Sequence, residues 1–259
     1  MTAVAQTWYM TDRHVRFLLR QPWFIATSIV QPVIWLLLFG QLFRNVTEIP
    51  GFTAAGGSYL DYLTPGVLVM TALFSCGWSG MGIIEDLDRA IMDRFLISPV
   101  HRSSLISGRT IYELVSLLIQ AAIIGGLAWL LGAHFAGGLI GFAALTACAM
   151  LVGAAFASIS QAMGLVLRQR ESVIGINVLL VLPLSFLSAA FLPLDLVPGW
   201  IRTVAAYNPV NWAVEAGRAA LAANPDWAFI LPRMGGLLAV TVAAVWLATA
   251  AFRSYQRST

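Results

Sequence analysis

Six stretches of this chain run for about 20 residues or more with almost no charge, and nothing else in it limits the fold as strongly. They are residues 24–43, 60–84, 110–131, 139–165, 173–192 and 229–252. At about 1.5 Å of rise per residue, a helix of about 20 apolar residues crosses the roughly 30 Å hydrocarbon core of a bilayer. None of the runs alternates like a barrel strand. In lipid, a helix satisfies its own backbone polar groups. Only 10% of the 259 residues are charged, against about 25% in a soluble domain, too few to cover a water-facing surface. The expected fold is an all-α membrane protein, one domain over 1–259 with six transmembrane helices.

All 15 basic residues are Arg. Arg13, Arg16, Arg20, Arg89, Arg94, Arg102, Arg109, Arg168, Arg170, Arg253 and Arg257 fall on one side of the six spans; Arg44, Arg202, Arg218 and Arg233 fall on the other. The positive-inside rule puts the first set, and both termini, in the cytoplasm of a multi-pass protein of the inner (plasma) membrane. Trp23, Tyr59, Trp200, Tyr207 and Trp227 stand near run ends, as interfacial anchors do. No small-residue cleavage pattern ends the first run, so the N-terminus reads as retained. The net charge of +3 forms no dense basic patch, which argues against a nucleic-acid partner; membrane lipid is the expected surrounding. Cys76 and Cys148 sit inside apolar runs and read as buried thiols. Gln31-Pro32, Thr64-Pro65-Gly66 and Leu182-Pro183 place helix-bending prolines in the first, second and fifth spans.

Three segments outside the spans carry information. Residues 1–23 contain an amphipathic stretch, about 4–20, with Trp8, Val15, Leu18 and Leu19 on one face and Arg13, Arg16 and Arg20 on the other. This is the pattern of a helix lying in the membrane interface, or of a plain lead-in whose arginines hold it on the cytoplasmic side. In 85–99, Leu87, Ile91 and Phe95 form an apolar stripe at i, i+4, i+8, opposite Glu85, Arg89 and Asp93, and Pro99 ends the pattern. Such a helix can lay its stripe in a partner's groove, or fold back on the membrane. Residues 193–228 hold Pro193, Pro198, Pro209 and Pro225 yet stay moderately apolar, and Asn211–Ala223 reads as a short helix. A re-entrant or surface-packed helical hairpin is expected there, since non-helical backbone at membrane depth must be buried in protein or face water.

Several chemistries lack their residues. A phosphate-cradling P-loop ends in Gly-Lys-Ser/Thr, and this chain has no Lys. Gly77-Trp78-Ser79-Gly80 is similar to the nucleophile motif of intramembrane serine proteases, but the three histidines, His14, His101 and His134, all fall outside the spans and leave the serine without a histidine base. The same run suits close helix approach. An ion-driven carrier buries a carboxylate mid-span; Asp61, Glu113 and Glu171 lie near span ends. No metal-ligand spacing is present, and no cofactor is expected in this chain.

The stretches Ile97-Ser98-Pro99-Val100-His101-Arg102 and Leu105-Ile106-Ser107-Gly108-Arg109 resemble the cytoplasmic loop of ABC type-2 exporter permeases. Pro183 through Leu194, Pro198-Gly199-Trp200 and Asn208-Pro209-Val210-Asn211-Trp212 through Arg218 are similar to that family's stretch before the last span, and Leu19 through Gly40 fits its first. The likeness covers nearly the whole chain and is nearest the daunorubicin-resistance and nodulation-factor exporter type; Ala90 stands where members commonly have Gly. The resemblance implies a permease subunit for drug efflux or related export, working as a homodimer or with a close homologue. It implies an interfacial helix, a coupling helix at 85–99, an outer re-entrant segment at 193–228, and two copies of a separate ABC ATPase that holds ATP and Mg. Leu87, Ile91 and Phe95 are then the expected docking residues, with Arg89 and Arg94 for acidic groups of the ATPase. Spans two and five would line the path, with Thr71, Ser75, Trp78, Asn177, Ser185 and Ser188 as candidates; each equally suits ordinary helix packing. The alternative is a carrier or channel without an ATPase.

Overall fold

The computed structural model describes residues 22–43, 58–88, 102–191 and 193–257. The interfacial stretch at 1–21 and most of the proposed coupling helix therefore lie outside the described residues. The described chain is all-helical. The helices are α1 (Pro22–Leu42), α2 (Tyr59–Gly77), α3 (Ser79–Asp88), α4 (Arg102–Leu130), α5 (Gly138–Leu167), α6 (Arg170–Phe186), α7 (Gly199–Ala206), α8 (Pro209–Leu221) and α9 (Trp227–Arg257), with a 3₁₀ turn at Leu194–Leu196. Among the described residues, four stretches are long and apolar enough to cross a membrane: Tyr59–Asp88, Gly108–Leu130, Gly138–Leu167 and Trp227–Phe252. The first runs through α2 and α3. In α1 the apolar stretch is Ile29–Leu42, and α6 has 17 residues.

α5 is the hub. It packs against α2, α3, α4, α8 and α9, and its composition explains why. Lipid tails are as apolar as leucine, so helices associate in a bilayer through close packing of small residues more than through hydrophobic burial. The buried positions of α5 include Gly141, Ala149, Gly153, Ala154, Ala155, Ala157, Ser158, Ser160 and Gly164. A Cβ built on Gly80 would lie 2.1 Å from the Ser160 carbonyl oxygen, and one on Gly164 would lie 2.6 Å from that of Gly80. α3 and α5 thus meet backbone to backbone. Leu68, Leu73, Leu117, Leu145 and Val214 fill the core around this axis.

α2 starts with a capping box: the Ser58 hydroxyl accepts from Leu60 N–H, and the Asp61 carboxylate accepts from Ser58 N–H. The other Asp61 oxygen accepts from His134 N–H at 2.6 Å, tying α2 to the α4–α5 turn. α5 ends at Arg168, which adopts a left-handed backbone (φ 52°); a non-glycine residue there costs about 1 kcal/mol. Only Arg168 and Gln169 separate α5 from α6.

α6 ends sooner than its apolar run. The sequence reading carries that span to residue 192, yet the helix stops at Phe186, three residues after Pro183. Hydropathy cannot see this stop, because Leu187, Ala189, Ala190 and Phe191 continue the apolar run while their backbone bonds to distant side chains. The short helix expected at Asn211–Ala223 is α8, displaced two residues toward the N-terminus by the Asn208 cap and Pro209 in its first turn.

Candidate functional site

Three polar constructions stand out in this apolar bundle. The first is a cavity of about 320 Å³ between α1 and α2, lined by Gln31, Trp35, Thr71, Phe74, Ser75 and Trp78 among others. Three of the residues read as path candidates, Thr71, Ser75 and Trp78, meet here on successive turns of α2. Thr71 satisfies its own hydroxyl on the Val67 carbonyl at 2.7 Å. The Ser75 hydroxyl accepts from Gln120 Nε2. Trp78 is 39% exposed, and Gln31 is exposed on α1. An amide facing hydrocarbon has no partner and is costly there, so the Gln31 face must look onto water or protein. Gln31 escaped the sequence reading except as the residue before Pro32; the signal was an amide inside an apolar run.

Asn177 is buried on α6 near the same level. A Cβ on Gly77 would lie 2.9 Å from the Asn177 amide oxygen, so Gly77 makes room for it. Ser185 and Ser188 lie elsewhere, at the stop of α6, where Ser188 Oγ donates to the Ser185 carbonyl at 2.6 Å. The path candidates therefore divide into Thr71, Ser75 and Trp78 at the cavity, Asn177 packed on Gly77, and Ser185 and Ser188 at the helix stop.

That stop is the second construction. Unwinding after Phe186 exposes carbonyls that water would satisfy at a surface but lipid cannot. Side chains from α2 and the start of α8 take them up. Asn208 Nδ2 donates to the Leu184 and Leu187 carbonyls at 2.7 and 2.9 Å, while its oxygen caps Val210 N–H. Tyr59 donates to the Phe191 carbonyl and Tyr62 to the Ala189 carbonyl. Asn211 Oδ1 accepts from Ala189 N–H. Arg218 stacks over the Tyr62 ring, 3.5 Å from its centroid, and its Nη2 donates to the carbonyls of Tyr62 and Ala189 at 3.1 and 2.9 Å. Burial pulls the Arg218 pKa below its ordinary value, and Tyr62 and Glu215 oppose that pull; an arginine stays charged through such a shift. On Gly66 a Cβ would lie 2.3 Å from the Ala190 carbonyl oxygen, so the unwound strand lies directly on α2. Nearby, Arg233 of α9 pairs with Glu215 of α8 through Nε and Nη2 at 3.1 and 2.9 Å.

The third construction lies at the opposite end of the bundle, on the α3 side of Trp78. Gln161 Nε2 donates to the hydroxyls of Ser79 and Thr110, Ser160 Oγ accepts from Gly80 N–H at 2.9 Å, and Ser79 hydrogen-bonds Glu113. Ser79, the serine of the Gly77–Gly80 motif, thus joins a structural polar cluster. Arg109 pairs with Asp86 at 3.3 Å and Arg170 with Asp88 at 2.7 Å. Of the docking candidates, Leu87 lies on α3, partly buried against the cluster of Ile83, Leu165 and Phe252. Arg89, Ile91, Arg94 and Phe95 fall outside the described residues, as do Trp8, Arg13, Arg16 and Arg20.

A bundle of apolar helices with a polar-lipped cavity and a protein-sealed helix stop is the frame of a multi-pass membrane permease. Comparison with known families makes this specific: residues 5–222 match the ABC-2 type transporter family, and the chain belongs to it. It is similar to the daunorubicin resistance ABC transporter permease DrrB1 of Streptomyces coeruleorubidus, 26% identical over 82% of this chain and 74% of the relative. It also resembles the transport permease ycf38 of Cyanophora paradoxa, 29% identical over 81% and 71%. A doxorubicin resistance permease, DrrC of Mycobacterium tuberculosis, is 24% identical over 92% and 83%. Family membership makes this chain the transmembrane subunit of an ABC transporter and implies an ABC ATPase partner.

Proposed function

We propose that this chain is the permease of an exporter that moves an amphipathic or lipid-like compound (drug, glycolipid or polysaccharide class) outward across the inner membrane, driven by two copies of a separate ATPase chain that carries ATP and Mg. The observation that carries the reading is the cavity between α1 and α2, where Gln31, Thr71, Ser75 and Trp78 bring a few polar groups into an aromatic lining. A mainly apolar pocket with few convergent polar groups suits a ligand with both characters.

Six spans follow if α1, with its apolar stretch Ile29–Leu42, and α6 join the four longer ones, and both termini are then cytoplasmic. The 193–228 segment returns into the outer half of the bundle, with the carbonyls at its entry satisfied by protein. α6 buries only Val173, Asn177, Val181 and Ser185 and leaves Ile174, Leu179, Leu182 and Phe186 exposed. A second copy of this chain, or a close homologue, covers that face and closes the path between the two subunits. ATP-driven closure of the ATPases pushes on the 85–99 helix through Leu87, Ile91 and Phe95, with Arg89 and Arg94 on acidic partner groups. The energy enters as a difference in partner contact between two states.

Co-expression with the partner ATPase and affinity purification tests this. Phe95→Asp should abolish association while the permease stays folded and inserted. Unchanged association and unchanged ATP-dependent transport would refute the docking assignment.

A further inference from the structure

We infer that the Asp88–Arg170 ion pair is the tie that turns a push on the docking segment into a tilt of α6; this rests on the proposed docking at 85–99. Asp88 closes α3 and is the last described residue before the rest of that segment. Arg170 opens α6. Their side chains meet at 2.7 Å, across 82 residues of sequence.

Three features make α6 the element that responds. It follows the hub α5 after only Arg168 and Gln169 and packs on it far less than α8 or α9 does, and Arg168 holds a left-handed backbone, so α6 hangs on a short elbow. It is held along its length by a single stripe at i, i+4, i+8 and i+12, whereas α5 is enclosed on most sides. Its buried Asn177 packs on Gly77, beside the α2–α3 junction and the cavity that Trp78 lines. A pull at Arg170 therefore moves the wall that Asn177 shares with α2.

Arg170 itself sits where a cation is unfavourable, at the N-terminal, positive end of a helix dipole. Asp88 offsets both the Arg170 charge and that end of the dipole. The Asp86–Arg109 pair links the same end of α3 to α4. But α4 is a 29-residue helix packed against α1, α2, α3, α5 and α9, so it anchors the lever and does not follow it. Both partners of the Asp88–Arg170 pair are about half exposed, at 57% and 48%, and exposed pairs contribute little to stability. Its role is positional, and it can be removed without unfolding the chain.

The test uses the assembled permease–ATPase complex in lipid nanodiscs, with Leu179→Cys as a reporter on the α6 face that the second subunit covers, where access changes as the path between the subunits opens. Cys76 and Cys148 are fully buried, so a maleimide reads the reporter. In the otherwise native complex, ATP with vanadate should change the labelling rate by about tenfold, an ordinary scale for coupling between sites. Arg170→Asp should bring that change close to onefold while the ATPase still co-purifies. Adding Asp88→Arg to Arg170→Asp should restore it, because the pair is remade with reversed charge. The tie is overturned if Arg170→Asp leaves the nucleotide response within twofold of native, if the reversed pair fails to restore it, or if α6 labelling ignores nucleotide with the ATPase bound. Failure of the native chain to bind an ATPase overturns the docking reading instead.

Discussion

Arg218 offers a quantitative test of how the bundle tolerates the stop of α6. Replacing it with Met keeps most of the stem but removes the guanidinium. Two charge-assisted bonds from Nη2 are lost, together about 1.5–3 kcal/mol after exchange with solvent. The contact with the Tyr62 ring adds about 0.5–1 kcal/mol. Removing a desolvated charge returns part of this, so Arg218→Met should destabilise by about 2–3 kcal/mol. Tyr62→Phe should cost less, about 1 kcal/mol, because Arg218 still donates to the Ala189 carbonyl. The double variant carries the sharper prediction. Both donors to that carbonyl are then gone, so the pair should cost about 1 kcal/mol or more beyond the sum of the singles. Unfolding titrations in mixed detergent micelles, followed by tryptophan fluorescence, measure all three. A single-variant loss under about 0.5 kcal/mol for Arg218→Met, or strict additivity in the cycle, would refute the shared-acceptor argument.

Two further outcomes test the packing and the capping. Gly80→Ala should destabilise by about 1–3 kcal/mol, because its Cβ would fall 2.1 Å from the Ser160 carbonyl oxygen, a backbone atom that cannot swing away. Gly175→Ala on α6, where nothing lies within 4 Å, should be neutral or slightly stabilising in the same titration. Asn208→Ala should cost about 2–4 kcal/mol, since it removes an N-cap and two carbonyl partners at once; Asn208→Asp keeps the cap but sets a buried carboxylate oxygen against the Leu184 and Leu187 carbonyls, and should cost at least as much as Ala.

The apolar runs and the Arg asymmetry are enough to read a helical membrane protein, because length and charge are local quantities that lipid imposes residue by residue; the family is legible only through the resemblance carried by stretches such as 97–109 and 208–218. Thr71, Ser75 and Trp78 are candidates because the resemblance implies that the second span lines the path, and all three line one cavity. What stayed hidden is non-local. Nothing in Leu187–Phe191 shows that its backbone will leave the helix and bond to Tyr59, Tyr62, Asn208, Asn211 and Arg218, which lie up to 132 residues away along the chain. Arg218 was counted only as one charge on the outer side, and its use as a carbonyl ligand depends on Tyr62 standing beneath it. Gln31 was read through its neighbour Pro32, and its exposure depends on how α1 leans on α2. Glu113 reads as a span-end carboxylate; its place beside Ser79 depends on how α3 and α4 pack.

The central position of α5 bears on how the chain is made. A nascent polypeptide enters the bilayer from its N-terminus, so α2, α3 and α4 arrive before their main partner exists. Ser79 and Thr110 then lack the Gln161 amide, and Gly80 lacks the Ser160 hydroxyl and backbone that it packs on. Until about residue 167 has been inserted, the half-built protein lacks the helix that joins α2, α3 and α4, a state open to the quality-control proteases of the membrane. Synthesis up to α5 is thus the vulnerable interval in this subunit's life, and α8 and α9 then close the rest of the surface of α5.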